Sequence, residues 1–203
     1  MPFSDAFLDS LGRWQRGWKQ DPTAKAPIAA ALEAEAAKLP PIFRAPRQEP
    51  LYRKRHLYRR DDQRELVPLL IGGYLEEDGP TSWSLDPTVV EKIRGVFDET
   101  DERCAAGAIF RHVASPGEVV LYVPRLWADA GFVAAADSYS RRGGAEAQAI
   151  FHFRGERDQD EVILRAPLLV EEIIHLSGHG SFEGVCGLMG APPRRTRKPR
   201  PRS

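Results

Sequence analysis

The chain has 203 residues, of which 42% are hydrophobic, and its formal net charge is zero. This length suits one compact domain with a full core, and two domains would be hard to accommodate. Its two cysteines, Cys104 and Cys186, are too few for a disulfide scaffold, although a single bridge stays open, so we expect a reducing compartment. The N-terminus lacks the features of a secretory signal, and no stretch approaches about eighteen apolar residues. We therefore expect a cytoplasmic protein without membrane spans, with signal-independent secretion left open.

Two helices are predicted at the start of the chain. Large apolar residues recur at helical spacing behind Ser4, a plausible cap, and predict an amphipathic helix over residues 4–19: Phe3, Phe7, Leu11, Trp14 and Trp18. We expect this aromatic face to pack on the domain rather than on a membrane or partner. An alanine-rich helix is predicted from about residue 27 to residue 39, before two prolines. Residues 1–45 are thus predicted to form a helical extension.

A basic strand is predicted over residues 51–60, LYRKRHLYRR, followed by a helix from about residue 62 to residue 74. Strand alternation places Arg53 and Arg55 on one face with Leu51 and Leu57. A stretch this basic is also typical of a solvated surface or an RNA-binding strip.

The remaining elements are predicted in the order strand, helix, strands. The sequence TSWS at residues 81–84 precedes Leu85-Asp86-Pro87 and a helix-like TVVEKIRGVF. Two strands are predicted around residues 115–117, then a helix over residues 126–139 that ends at two glycines. A strand over residues 149–153 and the turn 154–158 are predicted to form a hairpin with residues 159–166, and LVEEIIHL is read as a later strand. Early helices and late strands favour an α+β fold with antiparallel pairing.

The stretch RGERDQDEVIL, residues 154–164, carries the strongest candidate site. On the strand predicted over residues 159–166, Gln159 and Glu161 lie on one face and Asp160 points to the other. The apolar run after Glu161 would hold this carboxylate at the mouth of a packed sheet. Taken alone, the same residues also fit a plain polar hairpin turn.

Arginine, then Ser-x-Ser, then Gln-x-Glu form an ordered set that resembles the mono-ADP-ribosyltransferase family. The resemblance is to its Arg-Ser-Glu branch, shared with clostridial binary toxins and Rho-modifying exoenzymes, and it covers roughly residues 50 to 178. It implies a pair of mostly antiparallel sheets with N-terminal helices, and a catalytic domain over residues 46–190. It also implies NAD as a substrate and a protein or nucleic-acid acceptor.

The resemblance implies a role for each motif residue. Glu161 would stabilise the oxocarbenium ion formed as the nicotinamide bond breaks, and Ser82 would hold Glu161 through a hydrogen bond. Gln159 would orient an acceptor other than arginine. Ser84 would support the strand end, Trp83 would wall the site, and Arg53 would pair with the NAD phosphates, with Arg55 as second choice. An NAD glycohydrolase, or a non-enzymatic nucleic-acid-binding protein, remains an alternative.

The C-terminal region is read as carrying neither a catalytic nor a metal site. His179 and Cys186 lack the spacing of a cysteine protease, and with His175 they lack the paired pattern of a zinc site, so no metal is expected. Residues 191–203 are predicted to be a disordered basic tail, either an electrostatic contact for nucleic acid or an acidic partner, or a solubility tail.

Overall fold

The computed structural model describes residues 2–17, 21–58, 73–75, 77, 79–92, 104–151, 154 and 159–177. Its α-helices are α1 Asp5–Arg16, α2 Lys25–Ala36, α3 Pro87–Lys92, α4 Val123–Trp127, α5 Ala130–Ser140 and α6 Ala145–Ala149. Its strands are β1 Leu51–Tyr58, β2 Tyr74–Leu75, β3 Thr81–Ser84, β4 Cys104–His112, β5 Val119–Tyr122, β6 Glu161–Leu164, β7 Leu168–Leu169 and β8 Ile173–Ser177. Short 3-10 turns cover Pro22–Ala24, Pro41–Phe43 and Val170–Glu172.

The strands form one six-stranded and one two-stranded sheet within the described residues. The larger sheet has the order β5-β6-β3-β1-β4-β8, and β2 pairs with β7 in the smaller one. Each described pair of neighbours is antiparallel. The turn after β4, where Gly117 has φ of 92°, leads to β5 at the far edge of the sheet, so β4 and β5 are not neighbours. The predicted α+β class with antiparallel pairing is confirmed.

The register of the central strands defines the two faces of the large sheet. Tyr52 of β1 lies opposite Ser84 of β3, and Ser84 lies opposite Glu161 of β6. Side chains opposite each other on neighbouring strands point to the same side, so Glu161 shares its face with Ile163, Ser82 and Ser84. Ile163 packs in the core that contains the helices, whereas Val162 and Leu164 pack in the core on the other face.

Helix α1 forms where the spacing of apolar residues predicts it. The hydroxyl of Ser4 accepts a hydrogen bond from the backbone nitrogen of Phe7 at 3.1 Å, which confirms Ser4 as the cap. Phe7, Leu11 and Trp14 are buried, and the helix ends before Gly17, whose φ of 78° favours glycine. Trp18 lies outside the described residues.

The N-terminal helices and the large sheet share one hydrophobic core. Phe7 and Leu11 of α1 and Leu32 of α2 pack in the same cluster as Leu121 of β5 and Ile163 of β6. Helix α1 also lies against α6, and a Cβ atom at Gly12 would stand 2.3 Å from the backbone oxygen of Glu146. Helices α1 and α2 therefore pack on one face of the sheet.

The predicted hairpin between residues 149–153 and β6 is wrong. Residues 145–149 form α6 and residues 150–151 form a turn, while β6 pairs with β3 and β5 instead. The sequence Ala-Glu-Ala-Gln-Ala favours a helix, and Ala147, Ala149 and Ile150 gain burial in this conformation. Helix propensity and burial therefore favour α6 over the predicted strand.

Two further predicted elements are interrupted. The helix expected over residues 126–139 is divided into α4 and α5, because Asp129 caps α5 by accepting from the backbone nitrogen of Phe132 at 2.9 Å. The single strand expected in LVEEIIHL is broken by the 3-10 turn Val170–Glu172 between β7 and β8. Most of the helix predicted over residues 62–74 lies outside the described residues, but Tyr74 belongs to β2. The predicted tail, residues 191–203, also lies outside them.

Across the described ranges, no helix combines the length and apolar character needed to cross a membrane.

Candidate active site

Glu161 and Ser82 meet on the face of the sheet that the helices cover. Ser82 Oγ lies 2.5 Å from Glu161 Oε1, and the hydroxyl donates to the carboxyl oxygen. Strands β3 and β6 bring them together, since Ser84 lies opposite Glu161 and Ser82 is two residues further along the same face. The contact predicted between Ser82 and Glu161 is therefore present, while their catalytic roles stay predictions.

Burial perturbs the carboxyl group of Glu161. Glu161 is 5% exposed, and desolvation raises the pKa of its carboxyl group above the ordinary value. Hydrogen bonds from Ser82 and Trp14 favour the ionised form and only partly offset the desolvation. A buried carboxyl with a raised pKa is a common feature of active sites, although structural networks also produce it.

Two residues of α1 cover Glu161, a contact that helical periodicity alone does not predict. Trp14 Nε1 donates to Glu161 Oε1 at 3.0 Å, and the side-chain amide of Gln15 lies 3.5 Å from Oε2. Trp14 is 3% exposed, as its place in the apolar periodicity predicts, but its ring nitrogen also meets a carboxyl 147 positions away in the chain. The clue to this contact in the sequence was the indole N–H of Trp14, which needs a hydrogen-bond acceptor when the ring is buried.

The chain before Glu161 is held by Ser84. Ser84 Oγ donates to the carbonyl oxygen of Gln159 at 2.6 Å, so the predicted support of the strand end is present. Strand β6 begins only at Glu161, and Asp160 has φ of 44°. The strand alternation expected from Gln159 to Glu161 is therefore wrong, because Asp160 does not have an extended backbone. Gln159 is half-buried beside the site.

Arg53, Arg55 and Trp83 lie on the other face of the sheet. Tyr52 of β1 lies on the same face of the sheet as Glu161. The alternate residues Arg53 and Arg55 therefore point to the opposite face, on the side of Leu51 and Leu57, as predicted. Arg53 donates to the carbonyl oxygen of Ser82 at 2.9 Å. Arg53 and Arg55 approach the buried carboxylate of Glu77 at 3.3 and 3.5 Å.

Trp83 is buried on this second face, where its ring nitrogen donates to Thr81 Oγ1 at 3.0 Å. It does not wall the Glu161 side of the sheet. The structure thus joins Ser82 to Glu161 directly, and it joins Arg53 to that pair only through the backbone of Ser82.

His112 forms a second polar cluster next to Trp83. Its Nδ1 lies 2.7 Å from Glu172, its Nε2 lies 2.9 Å from Glu118, and its ring centroid is 5.5 Å from that of Trp83. Both ring nitrogens can donate to carboxylates only when the ring is cationic. Desolvation works to lower the pKa of His112, but hydrogen bonds and charges of Glu172 and Glu118 together outweigh it, so the pKa is raised.

We expect His112 to make the stability of the protein fall as pH rises. A raised pKa in the folded state means that the stabilisation is complete below the unfolded pKa, about 6.5, and is lost as pH passes the higher folded value. Urea unfolding of the wild type and of His112→Gln at several pH values measures this. The difference between the two free energies of unfolding should shrink from pH 6 towards pH 9, and a constant difference would contradict the expectation.

Metal binding has no evident site in the described parts of the chain. No group of three or more His, Cys, Asp or Glu side chains in these residues is arranged to hold a metal ion. His179 and Cys186 lie outside the described residues, and His175 is exposed on β8.

Comparisons of the chain with protein-family models, with curated proteins and with solved structures gave no match.

Proposed function

We propose that the chain is a mono-ADP-ribosyltransferase that cleaves NAD and transfers ADP-ribose to a macromolecular acceptor. The observation that carries the proposal is the hydrogen bond between Ser82 and Glu161. The motif resemblance requires this pair of residues to meet although they are 79 positions apart in the chain. An antiparallel α+β fold with N-terminal helices supports the proposal more coarsely.

The proposed chemistry uses the carboxylate form of Glu161. As the bond between nicotinamide and ribose breaks, positive charge develops on the ribose, and a fixed carboxylate stabilises that charge better than water does. Ser82 positions the carboxylate by donating to Oε1. Because Trp14 and Gln15 cover Glu161, the proposal includes displacement of α1 before NAD reaches the site.

The roles of the other motif residues rest on the resemblance alone. Gln159 would orient a non-arginine residue or a nucleobase of the acceptor. Arg53 or Arg55 would have to leave Glu77 before pairing with a phosphate. These residues do not carry the proposal.

A non-enzymatic protein is the second candidate, and the burial of Glu161 favours it. A carboxyl that is 5% exposed and bonded to Trp14 can serve to fasten α1 to the sheet. In this case the basic residues of β1 and of the C-terminal tail would bind nucleic acid, with an affinity that falls steeply with salt.

The test is release of nicotinamide from NAD by the full chain, with and without macromolecular acceptors. Transfer of label from adenine-labelled NAD to protein or nucleic acid, detected by mass spectrometry, is the expected result. Free ADP-ribose formed at full rate without a macromolecule would indicate a glycohydrolase instead. Absence of nicotinamide release together with salt-sensitive nucleic-acid binding would indicate the non-enzymatic candidate.

A further inference from the structure

The two oxygens of the Glu161 carboxyl group have different surroundings. Oε1 accepts hydrogen bonds from Trp14 Nε1 at 3.0 Å and from Ser82 Oγ at 2.5 Å. Oε2 faces the side-chain amide of Gln15, whose nearer atom lies 3.5 Å away. Whether the surroundings favour a negative charge on Oε2 therefore depends on which atom of the Gln15 amide faces it.

The other side of the Gln15 amide decides its orientation. Its second polar atom lies 3.0 Å from the carbonyl oxygen of Ala149 and 2.8 Å from that of Ile150. A nitrogen at this position donates to both carbonyls, whereas an oxygen would face two acceptors. Carbonyl groups at the C-terminal end of a helix, here α6, need donors from outside the helix. The nitrogen of Gln15 therefore points to α6, and its oxygen points to Glu161.

This orientation brings two oxygens together, Gln15 Oε1 and Glu161 Oε2, at 3.5 Å. Two acceptors face each other unfavourably in a buried site, unless a proton lies between them. We propose that Glu161 is a neutral carboxylic acid in the folded protein, with its proton on Oε2 and directed to Gln15 Oε1. Gln15 is then a positioning residue that fixes the protonation state of Glu161.

Among the residues that the structure describes, no cation acts on Glu161 to favour its carboxylate form. Desolvation raises its pKa, and the hydrogen bonds that act against desolvation come from the uncharged side chains of Ser82 and Trp14. The cations on the packed elements are engaged elsewhere: Arg13 with Asp9, Arg16 with Glu146, and Lys54 with the carbonyl oxygen of Glu91. Among the described residues, the other titratable side chains near Glu161 are Tyr52, across β3 on the same face, and Asp160, the preceding residue.

The inference goes beyond the proposed function and holds whether or not the chain cleaves NAD. For the proposed reaction it adds one condition, since a neutral acid does not stabilise an oxocarbenium ion as a carboxylate does. The proton must pass from Oε2 to solvent water when α1 and Gln15 leave the site. Docking of α1 and proton uptake by Glu161 are thus linked.

Titration of Glu161 by carbon-13 NMR of glutamate-labelled protein tests the inference without NAD. The Glu161 carboxyl signal is assigned by its loss in Glu161→Gln. In the wild type we expect its midpoint above that of an ordinary glutamate, which is about 4.3. In Gln15→Met, which keeps the length but removes both polar atoms, the midpoint should fall by about one pH unit because the acceptor of the proton is lost.

Trp14→Phe is the matched control on the neighbouring residue. It removes a donor that favours the ionised form, so the midpoint should move in the opposite direction, upwards. A merely structural role for both residues would move the two midpoints in the same direction. A rise in Gln15→Met would show that Gln15 donates to a carboxylate and would overturn the inference. If either variant does not fold, a wild-type midpoint at or below the ordinary glutamate value overturns it equally.

Discussion

Replacing Glu161 by glutamine should lower the rate of nicotinamide release from NAD by about 10²–10³-fold. The amide keeps the shape of the side chain and can still accept from Ser82 and Trp14, but it cannot supply the negative charge that the proposed transition state needs. The measurement is nicotinamide formed under saturating NAD, with circular dichroism to establish that both proteins are folded.

Asp160→Asn is the control for this experiment. It removes a carboxylate from the adjacent position, and asparagine tolerates the positive φ of 44° found there. This variant should keep the wild-type rate. Equal rates of release by Glu161→Gln and the wild type would remove Glu161 from the chemistry, and with it the proposed mechanism.

Replacing Phe132 by alanine should lower the free energy of unfolding by about 3–5 kcal/mol. Phe132 is fully buried where α5 meets α1, and its ring centroid lies 5.4 Å from that of Phe3 and 4.9 Å from that of Trp127. The substitution leaves a cavity between rings that cannot close around it without moving the helices. Urea unfolding monitored by far-ultraviolet circular dichroism gives the difference.

Tyr74→Ala provides the comparison, because it removes an aromatic side chain that is 53% exposed. Its effect should stay within about 0.5 kcal/mol. Similar losses in the two variants would mean that the aromatic cluster around Phe132 contributes less than its burial indicates.

Local patterns predicted the parts of the fold that local interactions determine. The helical spacing of the apolar residues from Phe3 to Trp14, together with the Ser4 cap, is sufficient to place α1. The alternation of side chains along a strand is sufficient to place Arg53 and Leu51 on one face of β1. The Ser82–Glu161 contact was also predicted, but through the motif resemblance rather than through periodicity. Neither pattern contains the order of the strands in the sheet.

The errors arose where distant parts of the chain decide the outcome. Whether Arg53 shares a face with Glu161 depends on how β1 and β6 register against β3, and that register is set by pairing across the whole sheet. The apolar pattern of Trp14 predicted burial but not that its nitrogen would meet Glu161. Residues 149–153 were read as a strand because the packing of α6 against α1 is not visible in their local sequence.

Gly12 has no functional group, but the close approach of α1 and α6 at this residue affects the surroundings of the Glu161 carboxyl group. Since a Cβ atom there would lie 2.3 Å from a backbone oxygen, any other residue at position 12 must hold the two helices further apart. Trp14 and Gln15 are carried on the same helix, so this extra spacing would draw their side chains away from Glu161. The covering of Glu161 therefore depends on the close helix contact at position 12 as well as on the polar groups that surround the carboxyl group.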